Sequence, residues 1–218
     1  MDTVNTLVIL ILFLIWPTFF ILALAFFRIQ VKQYLNPIIV SSLIMTPASA
    51  MLQYAKLNYL LTIVQPLLFL FCLMVLFHFK FFNSIIMTGL TFIYDIFVEY
   101  SYNIVIVQFD YDQFVQVTQN EFIIQGFWVA FVNLLTAYLI KKYRWGFTFI
   151  APRIHKHRPS NMSIQKKLYM SAVIFIAFLS TISLCLYIWK DMFLIVLSAT
   201  SIILAFVLHY SYKREFIE

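Results

Sequence analysis

Residues 4–27 read VNTLVILILFLIWPTFFILALAFF, a stretch without a single charged side chain. A bilayer core about 30 Å thick is crossed by ~20 apolar residues in a helix, so this run predicts a membrane span. It follows the acidic Asp2 instead of a basic segment and is longer than the apolar core of a secretory signal. It is therefore expected to stay in the mature protein as the first span.

The same kind of text recurs along the chain. Apolar runs bounded by Lys, Arg or acidic residues cover Val4–Phe27, Pro37–Ala55, Tyr59–Phe79, Phe82–Phe109, Phe122–Ile140, Leu168–Trp189 and Met192–Tyr210. The second run is the most polar, with Ser41, Ser42, Thr46, Pro47 and Ser49, and only Lys56, Leu57 and Asn58 part it from the third. Composition agrees with spans: 63% of the 218 residues are hydrophobic and 11% charged, where a soluble domain carries about 25% charged side chains. The expected fold class is all-α, a polytopic transmembrane helix bundle of seven spans, or alternatively six. The bundle would occupy residues 1–211 in the cell membrane, with a basic cytoplasmic loop at 141–167 and the start of a cytoplasmic helix at 212–218. That leaves no room for a soluble catalytic domain.

Charge supplies an orientation, because Lys and Arg in short loops stay cytoplasmic. With seven spans and the N-terminus outside, Arg28, Lys32, Lys80, the eight bases from Lys141 to Lys167, Lys213 and Arg214 face inward. Only Lys56 and Lys190 remain outside. Asp2, Asp110, Asp112, Glu121 and Asp191 then face outward, and Glu215 and Glu218 inward, so the outer side sums to −3 and the inner side to +11. The net charge of +6 is thus an orientation signal, and no nucleic acid is expected as a partner. The inner loop KKYRWGFTFIAPRIHKHRPSNMSIQKK (141–167) mixes bases with Trp145, Phe147 and Phe149, a composition suited to anionic lipid headgroups.

Reactive chemistry is sparse. Cys72 and Cys185 fall within spans and form no CxxC pair. His155 and His157 lack further ligands, while a structural metal site wants about four. Three glycines cannot build a phosphate-cradling loop, and no HExxH or GxSxG is present. No catalytic residue, metal or cofactor is expected, and the chain is read as not an enzyme.

The fourth run holds the strongest constellation. Ser84, Thr88, Thr91, Asp95, Glu99 and Tyr102 recur every three or four residues and form one polar stripe on a helix, widened by Asn103. A carboxylate near mid-bilayer costs at least ~2.5–3.5 kcal/mol, so two of them one turn apart demand a compensating environment. The stripe is read either as a ligand, ion or proton site or switch, or as a structural seam. Closure of that seam would fall to Gln125, Asn133 and Thr136 on the fifth run, or to Ser180 and Thr181 on the sixth. Ser42, Thr46 and Ala50 give the second run a small face for close helix approach, and Pro17, Pro47 and Pro66 are expected to kink their helices.

KLNYLLTI (56–63), HFKFFNSIIMTGLTFIYDIFVEYSYNIVIVQF (78–109), the basic loop and the terminal HYSYKREFIE (209–218) together resemble the membrane sensor region of peptide-pheromone receptor histidine kinases, of the accessory gene regulator type. The resemblance covers nearly the whole chain through hydropathy and scattered residues. It implies bacterial quorum sensing and two-component signal transduction: a secreted peptide is recognised outside, and the last helix relays the change to a cytoplasmic kinase module in a homodimer. Lys213, Arg214 and Glu215 would begin the helix that leaves the membrane. Members continue into a phosphoacceptor helix and an ATP-binding domain, which this sequence does not contain. Candidate ligand-binding or switch residues are Asp95, Glu99, Tyr100, Tyr102, Asn103, Asp110 and Asp112. Two other classes stay open: a small-molecule or ion transporter subunit that uses the acidic site, and a non-catalytic membrane scaffold or accessory subunit.

Overall fold

The structure, a computed structural model, describes residues 3–55, 57–107 and 122–147 together with Ser198 and Ile202. In order these form α1 (Thr3–Phe26), a 3-10 turn (Val31–Tyr34), α2 (Leu35–Tyr54), α3 (Asn58–Val75), α4 (Phe81–Val107) and α5 (Phe122–Lys142). Among the described residues there is no strand. Four stretches are long and apolar enough to cross a membrane: Leu7–Phe26, Val31–Tyr54, Phe81–Asn103 and Ile123–Lys142. These mark a membrane protein. The expected spans at 168–189 and 192–210, and the basic loop beyond Phe147, lie outside the described residues.

The helices follow the gaps in charge, with one difference. The third apolar run was expected to continue to Phe79, yet α3 stops at Val75, and its predominantly apolar part is the shorter Ile63–Val75. Backbone geometry ends it: His78 adopts φ 57°, while the N–H groups of Phe77 and Phe79 turn back to the carbonyls of Cys72 and Leu73. Phe77 and Phe79 remain apolar but pack against Tyr34 at the start of α2, at centroid distances of 5.5 Å each. The second run, for all its hydroxyls, forms the unbroken helix α2 through Pro47.

Contacts set the directions: α5 runs parallel to α1, since Gly126 meets Ile11 and Ile15 and Phe147 meets Phe26, and antiparallel to α4, since Asp95 pairs with Asn133 and Tyr102 with Trp128. The hub is the second half of α1. Phe20, Leu22, Ala23 and Leu24 are wholly buried, whereas Leu7 and Leu10 in the first half are exposed. A helix buried on all sides must be apolar all round, and this stretch is. It touches α2, α4 and α5, and its rings reach α3: Phe20 stacks on Phe69 at 4.3 Å and on Phe77 at 5.3 Å. Phe19 meets Phe69 and Phe92 edge-on. Such pairs contribute about 0.5–1.5 kcal/mol each beyond area burial.

Hydroxyls are absorbed locally or between small faces. Ser42, Ser84 and Ser101 donate to the carbonyls of Ile38, Lys80 and Phe97 one turn earlier in the chain, which hides each O–H within its own helix. Ser41, Ser42, Thr46, Ser49 and Ala50 form the buried face of α2, and Gln65 of α3 donates to Ser49 at 3.2 Å. At Gly126, α5 takes the side chains of α1 directly against its backbone. A Cβ at Gly126 would lie 2.6 Å from Ile11 Cγ2 and 2.9 Å from Ile15 Cδ1.

Gly126→Leu is expected to destabilise the protein by about 1–3 kcal/mol through overpacking. Gly126→Ala should be milder, because its roughly 1 kcal/mol gain in helix propensity offsets a methyl-sized clash. Thermal unfolding in detergent checks the order; a Leu variant as stable as wild type would refute this packing.

Candidate functional site

The stripe on α4 faces inward. Ser84, Thr88, Thr91 and Asp95 are buried, and Glu99, one turn further, is partly buried. Asp95 lies midway along α4, where neither helix end nor loop supplies a partner. Its Oδ1 accepts a 3.2 Å hydrogen bond from Asn133 Nδ2 on α5. Beside it Tyr94 shares a hydrogen bond with Thr136 through their hydroxyls. Adjacent residues on α4 thus meet residues three apart on α5, a spacing that puts Asn133 and Thr136 on one face. Gln125, further along that face, adjoins Glu99. The partners come from the fifth run; Ser180 and Thr181 lie outside the described residues.

The other expected site residues divide. Tyr102 is half-buried, and its ring lies 5.8 Å from that of Trp128 on α5. Asn103 is completely buried. Tyr100 lies on α4 but its side chain is outside the described residues, as are Asp110 and Asp112. Tyr94 and Trp128 were not anticipated. Tyr94 carries the one available signal, a hydroxyl directly before the carboxyl residue of the stripe. Among the described residues, no group of three or more His, Cys, Asp or Glu side chains is placed to hold a metal ion.

The seam is incompletely satisfied. Thr88 Oγ1, Thr91 Oγ1, Gln125 Nε2 and Asn133 Oδ1 are buried without a hydrogen-bond partner among the described residues. Each such group costs about 1–3 kcal/mol, so the observed pairing holds polar capacity that a small rotation or slide of α4 against α5 would redistribute. Apolar packing gives no directional preference, but hydrogen bonds select discrete arrangements. The geometry can therefore support a two-position interface. Among the described residues it offers no nucleophile paired with a base and no arrangement of donors around a reacting carbonyl or phosphoryl group. No family model, curated protein or solved structure matches the chain.

Replacing Asn133 by Leu is expected to destabilise the protein by about 1–3 kcal/mol, since the Asp95 carboxyl loses its donor while staying buried. Asp95→Leu combined with Asn133→Leu should cost less than the two single changes together, with a coupling of about 0.5–2 kcal/mol. Equilibrium unfolding in mixed detergent micelles measures the cycle, and strict additivity would rule out the pair.

Proposed function

We propose that this chain is the membrane-embedded receptor part of a bacterial peptide-sensing system. It spans the cell membrane seven times, with the N-terminus outside and the C-terminus in the cytoplasm. A secreted peptide binds at the outer face, and the change passes through the last helix to a histidine kinase module in a homodimer. The observation that supports this most is the polar seam between α4 and α5, lying beneath the Tyr102–Trp128 ring pair. A peptide that engages the outer ends of these helices would act on that pair and, through it, on the Asp95–Asn133 contact. Signalling requires that it bind one arrangement better than the other, since equal affinity shifts nothing.

Fusing a histidine kinase core after Glu218 and adding peptide fractions of culture supernatant should change autophosphorylation. Asp95→Asn, which alters the seam without changing its size, should shift the basal level or the half-maximal dose severalfold. No response to any fraction, together with an Asp95→Asn variant indistinguishable from wild type, would remove the receptor reading. The buried carboxyl of Asp95, which accepts from the Asn133 amide, also suits a proton- or cation-coupled carrier. Uptake into vesicles that depends on pH and vanishes in Asp95→Asn would put the carrier in the receptor's place.

The orientation has its own check. A cysteine introduced at Gln116 should react with an impermeant thiol reagent on intact cells, and one at Ser160 should not. The opposite pattern would invert the topology.

A further inference from the structure

Three helices are followed by the same residue pattern, an aromatic, then Arg or His in the left-handed region, then a bulky apolar residue: Phe27-Arg28-Ile29 directly after α1, Phe77-His78-Phe79 after α3 and the intervening Leu76, and Tyr143-Arg144-Trp145 directly after α5. The closing hydrogen bonds are alike at α1 and α5, while after α3 they run from Phe77 and Phe79 to Cys72 and Leu73. The central residues have φ of 52°, 57° and 54°. At α1, Arg28 N–H returns to Ala25 O and Ile29 N–H to Leu24 O; at α5, Arg144 N–H returns to Lys141 O and Trp145 N–H to Ile140 O. This closure favours glycine, which adopts positive φ without steric penalty. All three sites instead hold a side chain that tolerates the conformation less well, and in each case it is basic. A backbone outlier kept where glycine would serve better points to a use for the side chain.

The three ends also converge. Phe147 N–H donates to Phe26 O at 2.6 Å, so the segment after α5 caps the last turn of α1. A Cβ on Gly146 would fall 3.3 Å from Arg28 Cγ, so the stem of Arg28 lies two residues from Arg144. Tyr34 joins this end to Phe77 and Phe79, which brings in Lys32 and Lys80. Lys141 and Lys142 occupy the last turn of α5, with Lys142 Nζ 5.7 Å from the Tyr143 ring centroid. The basic side chains are exposed, as are Tyr143 and Trp145 at 54% and 65%. We infer that this collar is a binding site for the phosphodiester headgroups of anionic phospholipids, with Arg28 and Arg144 as its central cations. Guanidinium groups match phosphate oxygens, and the flanking rings suit the membrane interface. The inference rests on membrane placement and is independent of the receptor reading.

The test uses the full chain and exploits the backbone. Arg28→Gly with Arg144→Gly keeps or relaxes the left-handed caps but removes both charges. In detergent, binding of phosphatidylglycerol should weaken about tenfold or more, while thermal stability without lipid is unchanged or higher. Phosphatidylcholine should bind both proteins alike and weakly. If the glycine pair fails to fold, Arg28→Gln with Arg144→Gln is compared with Arg28→Lys with Arg144→Lys; the Lys pair should retain binding and the Gln pair lose it. Equal phosphatidylglycerol binding by the charged and uncharged proteins overturns the site. Full competition by inorganic phosphate at matched concentration overturns it as well, by making it a soluble-anion site.

Discussion

A polar group held in hydrocarbon must find its partner inside the protein, and here that constraint falls hardest on Asp95. Its carboxyl sits midway along α4 among apolar side chains, so α5 has to present a donor at the same depth. Asn133 does so, and Thr136 follows on the same face of α5 because the demand continues to Tyr94. The requirement fixes which face of α5 meets α4, and thereby which face remains for α1. That remaining face carries Gly126, so the side chains of Ile11 and Ile15 pack directly onto the α5 backbone. The directional seam and the tight apolar contact are consequences of one register.

Much of this could be read before any coordinates. Helix limits at α1, α2, α4 and α5 track the positions where charges reappear, because a charged side chain marks the edge of lipid whatever the helix does inside it. The stripe on α4 was legible through its spacing, and its partners through the few amides and hydroxyls on the fifth run. The end of α3 was not. Phe77 and Phe79 prolong the apolar text beyond the helix, and the turn between them rests on a left-handed His78 that nothing in a hydropathy profile distinguishes. The same holds for Arg28 and Arg144: helix stops are read from Gly or Pro, and these stops use neither. Trp128 was hidden for a different reason, since one aromatic among many gives no periodic signal.

The two kinds of contact made by α5 behave differently under displacement. Against α1 it packs by shape, and a small shift there costs contact gradually until side chains collide. Against α4 it pairs by hydrogen bonds, which are lost over a fraction of an ångström and regained only in another register. Thr88, Thr91 and Gln125 carry buried polar atoms without a hydrogen-bond partner among the described residues, so polar capacity remains on both helices. Two arrangements close in free energy follow more readily from an interface that satisfies only part of its polar groups than from one that satisfies them all.

The collar also joins α5 to α1. At its C-terminal end the helix runs into Arg144 and Gly146, and the next residue, Phe147, donates to the last turn of α1 through a backbone hydrogen bond while its ring lies 5.8 Å from Phe27. Toward its other end Trp128 meets Tyr102 of α4 by ring contact, and the Asp95–Asn133 pair lies between the two. One helix thus carries a backbone bond to α1, a hydrogen bond to the buried carboxyl of α4 and a ring contact to α4 in sequence along its length, so its register against α1 and its register against α4 are not independent: a slide that broke the Asp95–Asn133 bond would also have to strain the bond that Phe147 makes to Phe26.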